Sequence, residues 1–220
     1  MDGYLISCNL NTRHTYNMVA QKYHDLFSGE MNEKADDRNL LDAFARRFLP
    51  RSRICDAGCG PSAHIGRYFY DKGMEVTGVD ISDRCIEMAR GFNPGMQFIC
   101  DDIAGLGFEQ DSFDGVISFY SIIHTPKTLT GVLFDEFFRI LKPGGSLLVA
   151  VKAGVGEGFQ KELLGINAEI YFSFFSETEI RQYFDRSGFV IDLLEKRKPL
   201  DSEIKNDRIF AIGTKPFSGR

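Results

Sequence analysis

The sequence predicts an α/β protein: a doubly wound, mostly parallel sheet of seven strands, with helices on both faces, N-terminal capping helices and a C-terminal antiparallel hairpin strand. Three features lead there. From Arg53 to Lys152 short apolar runs alternate with amphipathic stretches, the pattern of a parallel sheet wrapped by crossover helices. The first apolar run opens into a glycine turn, "DAGCGPSA". Near the other end, "VIDLLEK" and "RIFAIGTK" are joined by a short charged loop, as in a hairpin.

The elements follow in chain order. Residues 1–11 carry no clear period and are expected to be loosely ordered. "TYNMVAQKYHDLF" sets Tyr16, Val19, Ala20, Tyr23 and Phe27 on one helical face. "DDRNLLDAFARRFL" does the same with Leu40, Leu41, Phe44 and Phe48, and Pro50 closes that helix. "RICDA" is strand one. A helix with Ile65, Tyr68 and Phe69 follows the glycine turn, with Gly73 at its C-terminal cap. "EVTGVD" is strand two; Ser82 caps a helix that turns Ile86 and Ala89 inward and ends at Gly91.

"MQFICD" and "FDGVISF" are strands three and four, and Phe134, Phe137, Phe138 and Leu141 mark the next helix. "LKPGG" turns that helix into strand five, "SLLVAVK". Residues 153–175 are glycine-rich, then aromatic, without a clean period, and are expected to form a substrate-region insertion. "SETEIRQYFDRSGF" carries a capping box, Ser176 with Glu179, ahead of a helix that ends at Gly188. Residues 1–50 read as a helical cap of the same domain and 51–220 as its α/β body, with no internal repeat and no domain-scale linker.

Composition narrows the function. The chain has 220 residues, 43% of them apolar, and a formal charge of −5, which argues against broad binding to a phosphate backbone. Arg46-Arg47 and Lys196-Arg197-Lys198 read as solvated ends of elements. Five cysteines form no C-x-x-C pair and four histidines are scattered, which suits reduced thiols and no metal site. No apolar run reaches about 18 residues, and the N-terminus lacks the order of a signal peptide. A cytoplasmic protein is expected, with no nucleic-acid or membrane partner.

The loop "ICDAGCGPSAHIGRYF" poses a choice of ligand. Gly58, Gly60 and Ala63 fit the G-x-G-x-x-G/A spacing of a dinucleotide turn, and Asp80 at the end of strand two fits a ribose-binding acid. Together these support a nicotinamide-dependent oxidoreductase. Asp56, however, stands two residues before the first glycine, where a carboxylate opposes a pyrophosphate and suits an ammonium or sulfonium group. Strand three ends in "CDDI", an acid followed by an apolar residue, which suits an adenine amino group and its ring. Three successive strand ends therefore present Asp56, Asp80 and Asp102 on the carboxyl edge, where ligands bind in open α/β sheets. The alternative reading of the set is as turn or helix caps.

At these residues the chain resembles the class I S-adenosylmethionine-dependent methyltransferases, which have a Rossmann-like fold, and within them the small-molecule branch. The likeness runs from about Tyr16 to Lys215, through "DAGCGPSAHIGRYF", "VTGVDIS", "FICDDIAGLGFEQDSFDGVISFYSIIH" and "RILKPGGSLLVAV". Ser62 departs from the family's D-x-G-x-G-x-G pattern at its last glycine. The resemblance implies S-adenosyl-L-methionine as cofactor. Gly58, Cys59 and Gly60 would line its methionine portion, with Asp56 near the amino group and Phe119 contributing backbone. Asp80 would take the ribose hydroxyls and Ile81 would lie on the adenine. Asp102, or its neighbour Asp101, would receive the adenine amino group, with Ile103 packing nearby. Tyr16 and Tyr23 would belong to a helix that closes over the cofactor, or else to its packed core.

The acceptor side offers His124, in "FYSIIHTP", as a general base with an ordinary pKa near 6.5, or as a loop histidine bound to backbone. Tyr120 and Ser121 are candidates for orienting a substrate. "EIYFSFF" reads as a substrate wall or a satellite core, and His14 and Arg208 stand within possible reach. Cys59 is a small loop residue with no activating base nearby. Strand four runs into "FYSI", not the Asn/Asp-Pro-Pro-aromatic stretch of amino-directed nucleic-acid enzymes, which favours a small or moderately sized methyl acceptor. A cofactor-holding protein without catalysis is the remaining alternative, and the acceptor atom and oligomeric state are not written in the sequence.

Overall fold

The computed structural model describes residues 3–200, 203 and 205–217. Its main sheet has seven strands in the order β3-β2-β1-β4-β5-β9-β8. These are β1 (Arg53–Ala57), β2 (Glu75–Asp80), β3 (Gln97–Cys100), β4 (Phe113–Phe119), β5 (Leu141–Lys152), β8 (Val190–Arg197) and β9 (Arg208–Thr214). The first five run parallel, and β9 lies antiparallel between β5 and β8. The chain builds outward from β1 through β2 to β3 and then returns to β4 on the other side of β1. That reversal opens a crevice at the carboxyl ends of β1 and β4.

Alternation along each strand divides the core into two layers. Cys55, Val116, Leu147, Val149 and Ala211 face α5 (Lys127–Ile140) and α6 (Glu177–Arg186). Ile54, Ile117, Leu148, Ala150 and Phe210 face α2 (Ala35–Ala45), α3 (His64–Tyr70) and α4 (Asp83–Phe92). Burying both faces explains why these strands are apolar throughout. The expected caps are present: Ser82 accepts from the Cys85 amide, and Ser176 and Glu179 form the reciprocal box. The second helix stops at Ala45, ahead of Pro50, where the chain tightens into short turns at Arg47 and Phe48.

Leu141, expected in the helix, and the turn after it belong instead to β5, and two longer segments also differ from expectation. Residues 3–11 are helical, as the start of α1 (Gly3–Phe27). They are held by tertiary contacts that a hydropathy period does not register: Cys8 is fully buried, and the Thr15 hydroxyl donates to the Glu169 carbonyl. Residues 153–175 contain a two-stranded antiparallel hairpin, β6 (Glu157–Leu163) with β7 (Ile166–Ser173). Leu164 and Gly165 turn it with φ of 54° and 74°, the left-handed pair that a two-residue hairpin loop requires. β6 is mostly exposed and polar, so the strand signal was weak.

The charged runs also resolve differently. Arg197 is not a solvated end: its guanidinium lies between Asp37 (2.8 Å) and Glu203 (2.9 Å) with little exposure. Arg47, by contrast, pairs with Asp192 at the surface edge (2.6 Å).

Candidate active site

The carboxyl ends of β1 to β4, roofed by α1, border a cavity that opens to solvent. It is lined by Tyr16, Tyr23, Asp56, Gly58, Cys59, Gly60, Asp80, Ile81, Asp102, Ile103, Phe119, Tyr120 and His124 among others, so one space gathers every proposed site residue but Asp101. Among the described residues, four carboxylates, including Glu30, reach its wall, and no lysine or arginine does.

Gly58 shows why the loop has no side chain at its first glycine. Its φ is 86°, and a Cβ there would stand 2.2 Å from Cβ of Ser121. Ser121 cannot retreat, because its hydroxyl donates to the Ala57 carbonyl (2.6 Å) and meets the Ser118 hydroxyl (2.6 Å). β1 and β4 are thereby sewn together at the switch point.

The strand-end acids are each held by backbone amides. Asp56 Oδ2 accepts from the Gly66 N–H at 2.9 Å. Asp80 accepts from Gly60 N–H at one oxygen and Ser82 N–H at the other, both at 2.9 Å, which locks the glycine loop to β2. Burial pushes Asp56 up to about 7, against the opposing pull of His64 and the Gly66 amide. Burial likewise raises Asp80 to about 6, opposed by its two amides. A cationic group placed beside them would relieve that cost, whereas an anion would add to it.

The turn sets Asp101 and Asp102 in different surroundings. Asp101 does not line this cavity but a neighbouring recess, and accepts from the Asp102 and Gly107 amides (2.9 and 3.2 Å), bracing its own loop. Asp102 lines the cavity, accepting from the Ala104 amide (2.9 Å) and from the Asn9 side chain (2.5 Å).

Ser62, the odd residue of the loop, is a tie. Its hydroxyl meets His24 Nδ1 at 2.9 Å, and His24 in turn stacks on Phe92 at 4.0 Å. The roof helix is pinned to the loop through it.

At the far end, Tyr16 and His124 form a pair that their 108-residue separation conceals. His124 Nδ1 lies 2.9 Å from the Tyr171 carbonyl, which can only accept, so the ring proton sits on Nδ1. Nε2 therefore accepts from the Tyr16 hydroxyl, also at 2.9 Å. Burial, with the charge of Lys152, lowers His124 to about 4. The ordinary histidine value expected from the sequence does not hold in this setting. Burial also raises the Tyr16 hydroxyl well above its usual range.

Tyr120 adopts φ of 58°, and its buried hydroxyl has no hydrogen-bond partner among the described residues. Strain of this kind persists where surroundings over-determine it, commonly at ligand sites. Ile170, Phe172 and Phe175 of the aromatic run belong to the core layer, and Phe172 backs the His124 ring at 4.8 Å. The hairpin thus supports the site from behind. Arg208 is buried with its guanidinium over the Tyr120 ring, while His14 is exposed. Burial raises the Cys59 thiol far above its ordinary value, which leaves it inert.

Sequence reasoning missed Glu30, His64 and Asn9. Glu30 accepts from His64 Nε2 (2.8 Å) and from Lys34 (2.6 Å), and both Glu30 and His64 line the cavity. His64 lay within the glycine-loop stretch, one residue past Ala63, and its place at the start of α3 was the available signal. Glu30 sits in a short 3₁₀ turn between helices, and no motif marks it.

A Rossmann-like sheet with acids at three successive strand ends and a cavity lined, among the described residues, by no lysine or arginine has the architecture of the class I S-adenosylmethionine-dependent methyltransferases. A family model described as a methyltransferase domain matches residues 28–194, and the chain belongs to that family. It is 29% identical over 154 residues to a sterol 24-C-methyltransferase of Yarrowia lipolytica, covering 61% of this chain and 39% of that protein. It is 33% identical over 118 residues to a malonyl-[acyl-carrier protein] O-methyltransferase of Enterobacter lignolyticus, covering 54% and 45%. The matches thus span less than half the length of these two curated relatives. The magnesium protoporphyrin IX methyltransferase of Synechocystis, solved with bound S-adenosylmethionine, superposes with a TM-score of 0.72 at 18% identity, covering 94% of this chain and 97% of that one. At that identity the likeness establishes the fold. Among the described residues no helix is long and apolar enough to cross a membrane.

Proposed function

We propose that the protein transfers a methyl group from S-adenosylmethionine to a small or moderately sized acceptor. The observation that carries this is the convergence of Asp56, Asp80 and Asp102 on one cavity whose wall holds no lysine or arginine. A dinucleotide pyrophosphate would meet four carboxylates there and no lysine or arginine. The cofactor, when bound, supplies an electrophilic methyl on a sulfonium, so the protein's task is positioning and exclusion of water.

In this reading Asp56, with Glu30 and His64 beside it, holds the ammonium end, and Gly58, Cys59 and Gly60 allow close backbone approach. Asp80 takes the ribose hydroxyls with lone pairs its two amides leave free. Asp102 exchanges the Asn9 amide for the adenine amino group, between Ile81 and Ile103. Tyr16 and Tyr23 close the roof, and Phe119 and Tyr120 border the acceptor end.

The Tyr16–His124 pair then orients the acceptor and receives its proton. As the new bond forms, the acceptor heteroatom becomes acidic, so even a weakly basic imidazole suffices. Tyr16 Oη takes that proton while passing its own to His124 Nε2, along the 2.9 Å contact. Buried free cysteines at 8, 55, 59 and 85 fit a reducing, cytoplasmic setting. Relatives named for acceptors as different as a sterol and an acyl-carrier-bound malonyl group support this acceptor class without choosing within it.

Methyl-labelled S-adenosylmethionine incubated with a metabolite extract tests the proposal. A labelled product that disappears with Tyr16→Phe and His124→Asn is expected. S-adenosylhomocysteine binding without any labelled product would make the chain a cofactor-holding protein instead.

A further inference from the structure

Lys152 is the last residue of β5, and its register partner across β9 is Arg208. Cross-strand partners share a sheet face, so two cations stand side by side at the carboxyl edge. Arg208 is buried, reaches Glu203 at 3.9 Å and lies over the Tyr120 ring at 5.8 Å. Lys152 is half-buried, with its ammonium 4.9 Å from the centre of the Phe172 ring. That ammonium has no hydrogen bond or carboxylate partner among the described residues.

That isolation is specific to Lys152. The other lysines held below the surface are each paired: Lys34 with Glu30 and Glu203, Lys127 with Glu179, Lys142 with Asp114 and Lys215 with Asp111. A cation–π contact offsets only part of the cost of removing an ammonium from water. Burial, together with the neighbouring Arg208 charge, accordingly lowers Lys152 to about 8.

The position gives the isolation a meaning. Phe172 carries Lys152 on its face and His124 at 4.8 Å, and His124 and Tyr120 line the acceptor end of the cavity. On the methyltransferase reading, the cation therefore stands one ring behind the acceptor end of the cavity, outside its wall. The cofactor end of the same cavity is acidic. An acceptor with an anionic group is thus repelled from the strand-end acids and drawn to Lys152, which fixes its direction.

We propose that Lys152, reinforced by Arg208, anchors a carboxylate or phosphate group of the methyl acceptor, at a distance from the atom that is methylated. The proposal rests on the methyltransferase reading and names the substrate class for it. Lys152 is a binding residue in this role and takes no proton from the acceptor.

Calorimetric titration with benzoate, phenyl phosphate and the neutral benzamide, with and without S-adenosylhomocysteine, tests it. At least one anion is expected to bind about tenfold or more tightly than benzamide, the scale of one charge-assisted hydrogen bond. Preference for benzoate assigns a carboxylic acid, and preference for phenyl phosphate a phosphate ester. Lys152→Met should erase the preference and Lys152→Arg should keep it, while S-adenosylhomocysteine affinity, read on the same samples, reports that the cofactor site is folded. Equal binding of benzamide, no binding of any probe, or a preference that survives Lys152→Met would each overturn the anion site. Absence of S-adenosylhomocysteine binding to the parent protein would overturn the methyltransferase reading instead.

Discussion

Asp80→Asn separates the cofactor role of this acid from its structural one. The carboxylate accepts the Gly60 and Ser82 amides at 2.9 Å each and has lone pairs left for two ribose hydroxyls. An amide of the same shape keeps one acceptor and turns a donor toward the other N–H. A hydrogen bond to a charged group contributes about 1.5–3 kcal/mol, so losing one weakens S-adenosylhomocysteine binding roughly 10- to 150-fold. Stability should move much less. Burial already raises this carboxyl to about 6, so its charge near neutral pH is a cost to the ligand-free fold. Removing the charge offsets part of the lost amide contact. Calorimetry and thermal melting on the same preparation measure both terms. Affinity within about twofold of the parent, with melting unchanged, would refute the assignment of Asp80 to the ribose.

Three further outcomes follow. Asp56 titrates at about 7 in the folded protein against an ordinary 3.8, so between those values the folded state holds the extra proton. Stability of the ligand-free protein should therefore fall as pH rises from about 4 to 7. Affinity for S-adenosylhomocysteine should rise toward pH 7 with proton release, seen by calorimetry in buffers of different ionisation heat; pH-independent affinity would remove Asp56 from the ammonium site. Asp102→Asn should weaken binding about tenfold and Asp101→Asn by less than about twofold, because only the former faces the cavity; the reverse order in a titration would exchange their roles. Gly58→Ala combines a left-handed φ with a Cβ 2.2 Å from Ser121, and should lower Tm. About 2–4 kcal/mol is expected, a fall of roughly 5–15 °C by melting.

Much of the sheet was legible because its strands are buried on both faces. "RICDA", "EVTGVD" and "FDGVISF" are the observed β1, β2 and β4 residue for residue. The three acids were legible because a carboxylate at the end of an apolar strand has no packing reason to be there. What escaped depended on contacts distant in sequence. Residues 3–11 are helical because α1 lies on β7, and β7 itself was hidden by the polar, exposed β6. Asp101 and Asp102 differ only in which one the turn's amides claim. Tyr16 and His124 were each singled out, yet their hydrogen bond, and the burial that lowers His124, belong to the packed protein.

The central claim is that the acidic, glycine-lined cavity receives a sulfonium nucleoside and not a pyrophosphate. Parallel calorimetric titrations with S-adenosylhomocysteine and NAD test it most directly. Saturable binding of S-adenosylhomocysteine, lost in Asp80→Asn, with no heat from NAD, is the outcome the structure requires. Binding of NAD with none of S-adenosylhomocysteine would contradict it.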